Sequence, residues 1–294
     1  DLVSSRGLGD VYKRQLSRFS KFKDKEKDHK KLANSCWALK LKRAQSYQMF
    51  RYQILIEYEG TNFRGWQIQK KGKTVQGLLQ EKISKLLKEK IIIYGAGRLD
   101  VGVHAKEQSA HFDCKNKIIK IDRFLKSINH FLNKDGIAIL KITKRGNNFH
   151  ARFSAKMRVY NYVIINRISG PVLDKNRGWH IIKDLDLKLM KGAARKLIGT
   201  KDFSTFRKSS CRAKSPIKTM KSVKIRSTKN KIEIEFRSQS FLQQQVRSMV
   251  GCLKYVGEEK WTLKRFVNVM QSKKRELCAP PAPPQGLYLT RVIY

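Results

Sequence analysis

Asp100 stands in the run Gly95-Ala96-Gly97-Arg98-Leu99-Asp100-Val101-Gly102-Val103-His104-Ala105. Three glycines within eight residues make a backbone that turns sharply and lets another molecule come close. Arg98 and Asp100 place a cation and a carboxylate in that turn. The β-branched run Ile91-Ile92-Ile93-Tyr94 before it reads as the end of a strand. A loop rooted on a strand is a common mount for a catalytic side chain, because the sheet holds its base. The plainer reading is a tight turn whose Asp bonds its own backbone.

Three further residues could do chemistry, each with a plain alternative. Arg247 follows Val246 and precedes Met249 and Val250 on a helical pattern, so it borders a buried face, and a partly buried Arg needs an anion. Its alternative is a solvated helix-face cation. Tyr160 lies early in a strand, where most tyrosines are core aromatics. His104 ends the Gly-rich run, and its alternative is a structural histidine.

These side chains must be positioned by the elements around them. In the first half, Tyr52–Tyr58 reads as a strand and 59–67 as a Gly-bounded loop. Thr74 caps a helix carrying Val75, Leu78, Leu79, Ile83, Leu86 and Leu87 on one face. After the Ile91 strand come a strand from Glu107 to Asp113 and a helix capped by Asp122, with Phe124, Leu125, Ile128, Phe131 and Leu132 on a face. A strand from Ile137 to Ile142 closes the half. The order β-α-β-β-α-β is a ferredoxin-like layer. The second half repeats it. Strands are expected at 158–165, 219–226, 232–236 and 286–294. Helices are expected from Asp186 to Gly199, from Gln244 to Val256 and from Trp261 to Met270. The fold class is therefore α+β, with two βαββαβ domains, largely antiparallel sheets and a central cleft, a natural ligand site. The boundaries are 49–147 and 148–294.

Sixty-five Lys and Arg against 23 Asp and Glu give a net charge of +42. Such a chain attracts polyanions, nucleic acid first and an anionic membrane surface second. Part of the charge also fits mere surface drift in a Lys- and Ile-rich proteome. The five cysteines form no C-x-x-C pair, which argues for a reducing compartment and against zinc or a disulfide framework. No apolar run is long enough to span a bilayer and no signal peptide is visible, so a soluble cytoplasmic protein is expected. Residues 1–48 differ from the rest. The first fifteen resemble a translated adapter scar, and the Lys-rich stretch after them reads as a solvated extension or a basic arm. Met49 is the expected natural start.

The Gly-rich run resembles the signature G-A-G-R-T-D-x-G-V-H-A of the TruA-type tRNA pseudouridine synthases. Glu59-Gly60-Thr61-Asn62-Phe63-Arg64-Gly65-Trp66-Gln67 is similar to that family's D-G-T-x-F-x-G-W-Q. Phe149-His150-Ala151-Arg152-Phe153-Ser154-Ala155 is similar to its linker. Lys201–Phe206, Val246–Gly251 and Gly286–Leu289 follow in the same order, so the resemblance runs from Tyr52 to Tyr294. It implies isomerisation of uridine to pseudouridine at positions 38, 39 and 40 of the tRNA anticodon stem-loop. It further implies Asp100 as nucleophile, Arg247 as its ion-pair partner and Tyr160 stacked on the uracil. Arg98 would hold the place of the flipped base, and Leu287 would pack on the ring. Arg64, Trp66, His104 and Arg152 are further substrate-binding candidates. A homodimer with one tRNA spanning both subunits is implied, with no cofactor and no metal.

Elementary chemistry is consistent with these roles. A carboxylate attacks only when ionised, and a guanidinium beside it favours the charged form. A base inside a stem must be flipped at a cost of a few kcal/mol, and a stacking ring offsets about 1–3 kcal/mol of it. Two departures stand out: Leu99 replaces the signature's Thr, removing a hydroxyl beside the nucleophile, and Val101 often has a smaller counterpart in the family. Leu99 leaves open a non-catalytic RNA-binding protein or RNA chaperone on the same fold. A synthase acting on a different RNA is a third reading.

Overall fold

The computed structural model describes residues 49–294, so the expectations for residues 1–48 lie outside the described residues. The first half runs β1 (Phe50–Tyr58), α1 (Val75–Leu87), β2 (Ile93–Gly95), β3 (His104–Cys114), α2 (Ile121–Leu132) and β4 (Ile137–Arg145). The second runs β5 (Met157–Asn166), β6 (Trp179–Ile181), α3 (Leu187–Lys196), β7 (Gly199–Asp202), β8 (Ile217–Thr228), β9 (Lys231–Ser238), α4 (Gln245–Gly257), α5 (Leu263–Gln271) and β10 (Leu287–Ile293).

The ten strands of the described residues join one mixed, mostly antiparallel sheet in the order β4-β1-β3-β10-β5-β9-β8-β7, with β2 beside β3 and β6 beside β5. Within the first half the order is β4-β1-β3-β2, and within the second β10-β5-β9-β8. Each half therefore places its fourth, first, third and second main strands side by side. The seam between them is short. β10 runs parallel to β3 through Tyr288↔His104 and Leu289↔Ala105, and antiparallel to β5 along its other edge. On the same edge of β3, β2 takes the far end, from Ala110 to Phe112. Pairing with β10 is why β3 starts at His104, inside the Gly-rich run, earlier than the expected Glu107.

Local chemistry accounts for the element ends. Thr74 accepts from Gly77 N and opens α1, as its residue type predicts. Asp122 does not cap α2: the helix starts at Ile121 behind Lys120, and Asp122 lies in the first turn, where a carboxylate suits the helix dipole. Phe131, expected on the buried face, is 40% exposed. Asp186 caps α3 by accepting from Leu189 N, but the helix stops at Lys196 and Gly199 instead opens β7, with φ +103°. Strands β6 and β7, three and four residues long, carry too little alternation to be read from sequence.

Candidate active site

The loop carrying Asp100 is tied down at nearly every peptide. Ala96 N donates to Ser109 O at 2.8 Å, and Gln108 Nε2 donates to Gly97 O at 2.9 Å. Leu99 O accepts from Trp66 N, and Val103 N closes a turn onto Asp100 O at 3.2 Å. Gly102 takes φ +77° in that turn, a conformation that L side chains rarely adopt. The 59–67 loop seats directly beneath. A Cβ on Gly60 would lie 2.1 Å from Val103 O, so only glycine permits the approach.

The second half brings the cation. Arg247 is the third residue of α4, where the helix dipole disfavours positive charge. Its Nε donates to Ala282 O at 2.7 Å, and its Nη1 lies 3.8 Å from Asp100 Oδ2. Their side chains are 13% and 27% exposed. Gln243, just ahead of α4, places Nε2 3.5 Å from Asp100 Oδ1. Both contacts are longer than a good hydrogen bond, so the carboxylate stays near opposite charge while keeping lone pairs free for a new bond. Burial lowers the Arg247 pKa, while the Asp100 charge acts to raise it.

Tyr160 completes the group. It is 8% exposed and packs edge-on against Phe241, ring centroids 5.0 Å apart. Burial pushes its phenol well above the usual range, and the Asp100 charge pushes the same way, so the hydroxyl remains protonated. A bulge between Leu289 and Arg291 faces Tyr160 and Val159 and re-aims the strand there. Tyr58, Ala105, Leu289 and Tyr160 form one register row across four strands. The Tyr58 hydroxyl, fully enclosed, has no hydrogen-bond partner among the described residues and feels the Tyr160 hydroxyl.

The other candidates separate into exposed and buried sets. Arg98, Arg64 and Arg152 are exposed, and Arg152 lies over the Phe153 ring at 5.5 Å. Leu287 is buried and begins β10 opposite Tyr162. Trp66 is 1% exposed, its indole filling the space beside Gly95. His104 is buried too. Its Nδ1 accepts from Gly60 N and its Nε2 faces Asn176 O, both at 3.0 Å, and its ring stacks on Tyr288. With both nitrogens bonded within the protein and burial lowering its pKa, His104 is a neutral brace between the two loops. This arrangement follows the plain alternative offered for it above. Leu99 is 6% exposed in the core, which explains an apolar side chain beside the carboxylate.

Sequence reading missed Phe241, Gln243, Tyr58 and Arg158 as parts of this neighbourhood. Only Arg158 left a signal: a charged residue two positions before Tyr160, hence on the strand face that also carries Tyr160, Tyr162 and Ile164.

The comparisons with known proteins bear on the same segments. A family model described as tRNA pseudouridine synthase matches residues 54–154 and 193–294, which include Asp100 and Arg247. The chain is 67% identical over 246 residues to the tRNA pseudouridine synthase A of Pelagibacter ubique. It is 42% identical to that of Parvibaculum lavamentivorans and 41% to that of Zymomonas mobilis, again over 246 residues. Each alignment spans 84% of this chain and 100% of the relative. A match across both halves of the sheet, with identity this high over the relatives' full length, means that the chain belongs to the tRNA pseudouridine synthase family.

Proposed function

We propose that this chain isomerises uridine to pseudouridine in tRNA, at positions 38, 39 and 40 of the anticodon stem-loop, with Asp100 as nucleophile. The observation that carries this reading is the Asp100 carboxylate poised 3.8 Å from Arg247 Nη1, in a loop anchored on both sides. In the reaction the N1–C1′ bond breaks, the freed uracil turns, and a C5–C1′ bond forms. C5 gives up its proton and N1 gains one. Asp100 forms the transient bond to substrate and releases it. Arg247 sets positive charge beside the attacking carboxylate. Tyr160, neutral and flat, stacks on the extruded base, and Leu287 packs against it. Arg98 occupies the gap left in the stem. Arg64 and Arg152 meet phosphates, which the +42 charge attracts without regard to sequence.

The same reading takes residues 49–147 and 148–294 as two ferredoxin-like domains, supported by their matching strand orders. It also takes the enzyme as a cytoplasmic homodimer whose tRNA spans both subunits. Among the described residues, no helix is long and apolar enough to cross a membrane. The test is tritium release from tRNA labelled at uracil C5, followed by mapping of pseudouridine. Release accompanied by new pseudouridine at positions 38–40 is expected. An RNA that is bound but releases no tritium overturns the reading.

A further inference from the structure

Among the described residues, Arg158 is a cation buried without a carboxylate. The residue is 9% exposed, and every hydrogen bond it makes ends on a backbone carbonyl. Nη2 donates to Ala96 O at 2.7 Å and to Arg152 O at 2.9 Å. Nε donates to Ala96 O at 3.3 Å, and Nη1 to Gln239 O at 2.5 Å. Four of the five guanidinium N–H groups are thus used. The three carbonyls belong to segments far apart in the chain. Ala96 roots the loop of Asp100. Arg152 lies in the linker between the halves. Gln239 begins the segment that brings Phe241 to Tyr160 and Gln243 to Asp100. Arg158 itself shares a strand face with Tyr160.

Burying a charge among neutral acceptors is unfavourable, and an apolar side chain of the same volume would pack at lower cost. A fork that spans three backbones has no apolar substitute, and no lysine substitute either, because one ammonium nitrogen cannot reach three separated acceptors. What the fork provides is a fixed distance between the nucleophile's loop and the ring on which the base is to lie. Misplacing reacting groups by about 1 Å can cost on the order of 100-fold in rate. We infer that Arg158 is a positioning residue of the isomerisation: it sets the Asp100 loop against Tyr160 and the 239–243 segment without touching RNA. This rests on the reading of Asp100 as nucleophile.

The full chain carrying Arg158→Lys or Arg158→Gln, with tRNA in single turnover, tests it. The expected result is a rate constant at saturating enzyme reduced roughly 100-fold in both variants. The reaction amplitude and the tRNA Kd should stay within about threefold of the parent chain. Failure of Lys to restore the rate, although it restores charge, is part of the expectation. A rate within about threefold overturns the inference. So does a loss confined to amplitude, which marks a merely structural residue, or a rise in Kd that matches the rate loss. Amide exchange supplies a readout independent of turnover: peptides covering 96–103 and 239–243 should exchange faster in both variants, and those of α5 should not. Unchanged exchange overturns the clamp even if the parent chain makes no pseudouridine, an outcome that would instead refute the proposed function.

Discussion

Arg247 is held by one nitrogen and offered by another: Nε donates to Ala282 O at 2.7 Å, leaving Nη1 3.8 Å from Asp100 Oδ2. Lysine can satisfy only one of these partners at a time. Arg247→Lys should lower kcat about 10- to 100-fold, and Arg247→Ala further, with KM for tRNA little changed. Steady-state pseudouridine assays read both. A KM effect without a kcat effect would show that Arg247 binds RNA instead of serving Asp100.

Asp100→Asn preserves shape and removes the nucleophile. Pseudouridine formation should become undetectable while gel-shift affinity for tRNA stays within about threefold. Turnover by this variant would assign the attack to another group.

Leu99 is packed in the core, so Leu99→Thr exchanges buried methyls for a hydroxyl. Stability should fall on the order of 1–2 kcal/mol in urea titration. Turnover per folded molecule should be unchanged or raised. A clear fall at full occupancy of the fold would mean that this loop is built differently from the family's signature.

The Tyr58 hydroxyl is enclosed without a partner among the described residues. Tyr58→Phe removes an unsatisfied polar atom and should leave stability unchanged or higher by about 1 kcal/mol. Loss of more than that in thermal or urea unfolding would reveal a bond made in solution.

His111 gives a pH signature. Its ring is buried beside His150 and Arg51, and burial above all lowers its pKa from 6.5 to about 4. Above pH 6.5 the ring is neutral in both folded and unfolded chains. Below it the unfolded chain takes up the proton first. Stability should therefore fall as pH drops from about 6.5 to 4, by on the order of 2–3 kcal/mol from this residue. His104 and His150 are shifted the same way and add to the slope. His111→Gln should flatten part of the stability profile in that window. An unaltered profile would place the acid sensitivity elsewhere.

Much of this frame was legible because the apolar residues repeat cleanly. Val75, Leu78, Leu79 and Ile83 marked α1, and Ile232, Ile234 and Phe236 marked β9. The expectations for Asp100, Arg247 and Tyr160 rested on residue type, flanking pattern and family resemblance together, and the structure brings the Arg247 guanidinium within 3.8 Å of the Asp100 carboxylate. What stayed hidden depends on contacts between distant segments. Arg158 sits on the Tyr160 face of its strand, but what it ties together shows only when Ala96, Arg152 and Gln239 are seen around it. His104 could be read either way until Gly60 N and Asn176 O are found on its two nitrogens. Asp122 failed as a cap because the cap position falls two residues earlier, at Lys120, ahead of Ile121, which packs against the core.

β10 leaves the ribosome after every other described strand, yet it lies in the middle of the sheet, between β3 and β5. Until then the sheet lacks the strand that lies between the half carrying Asp100 and the half carrying Tyr160 and Arg247. Synthesis of Leu287–Ile293 supplies the strand that pairs with β3 along one edge and with β5 along the other.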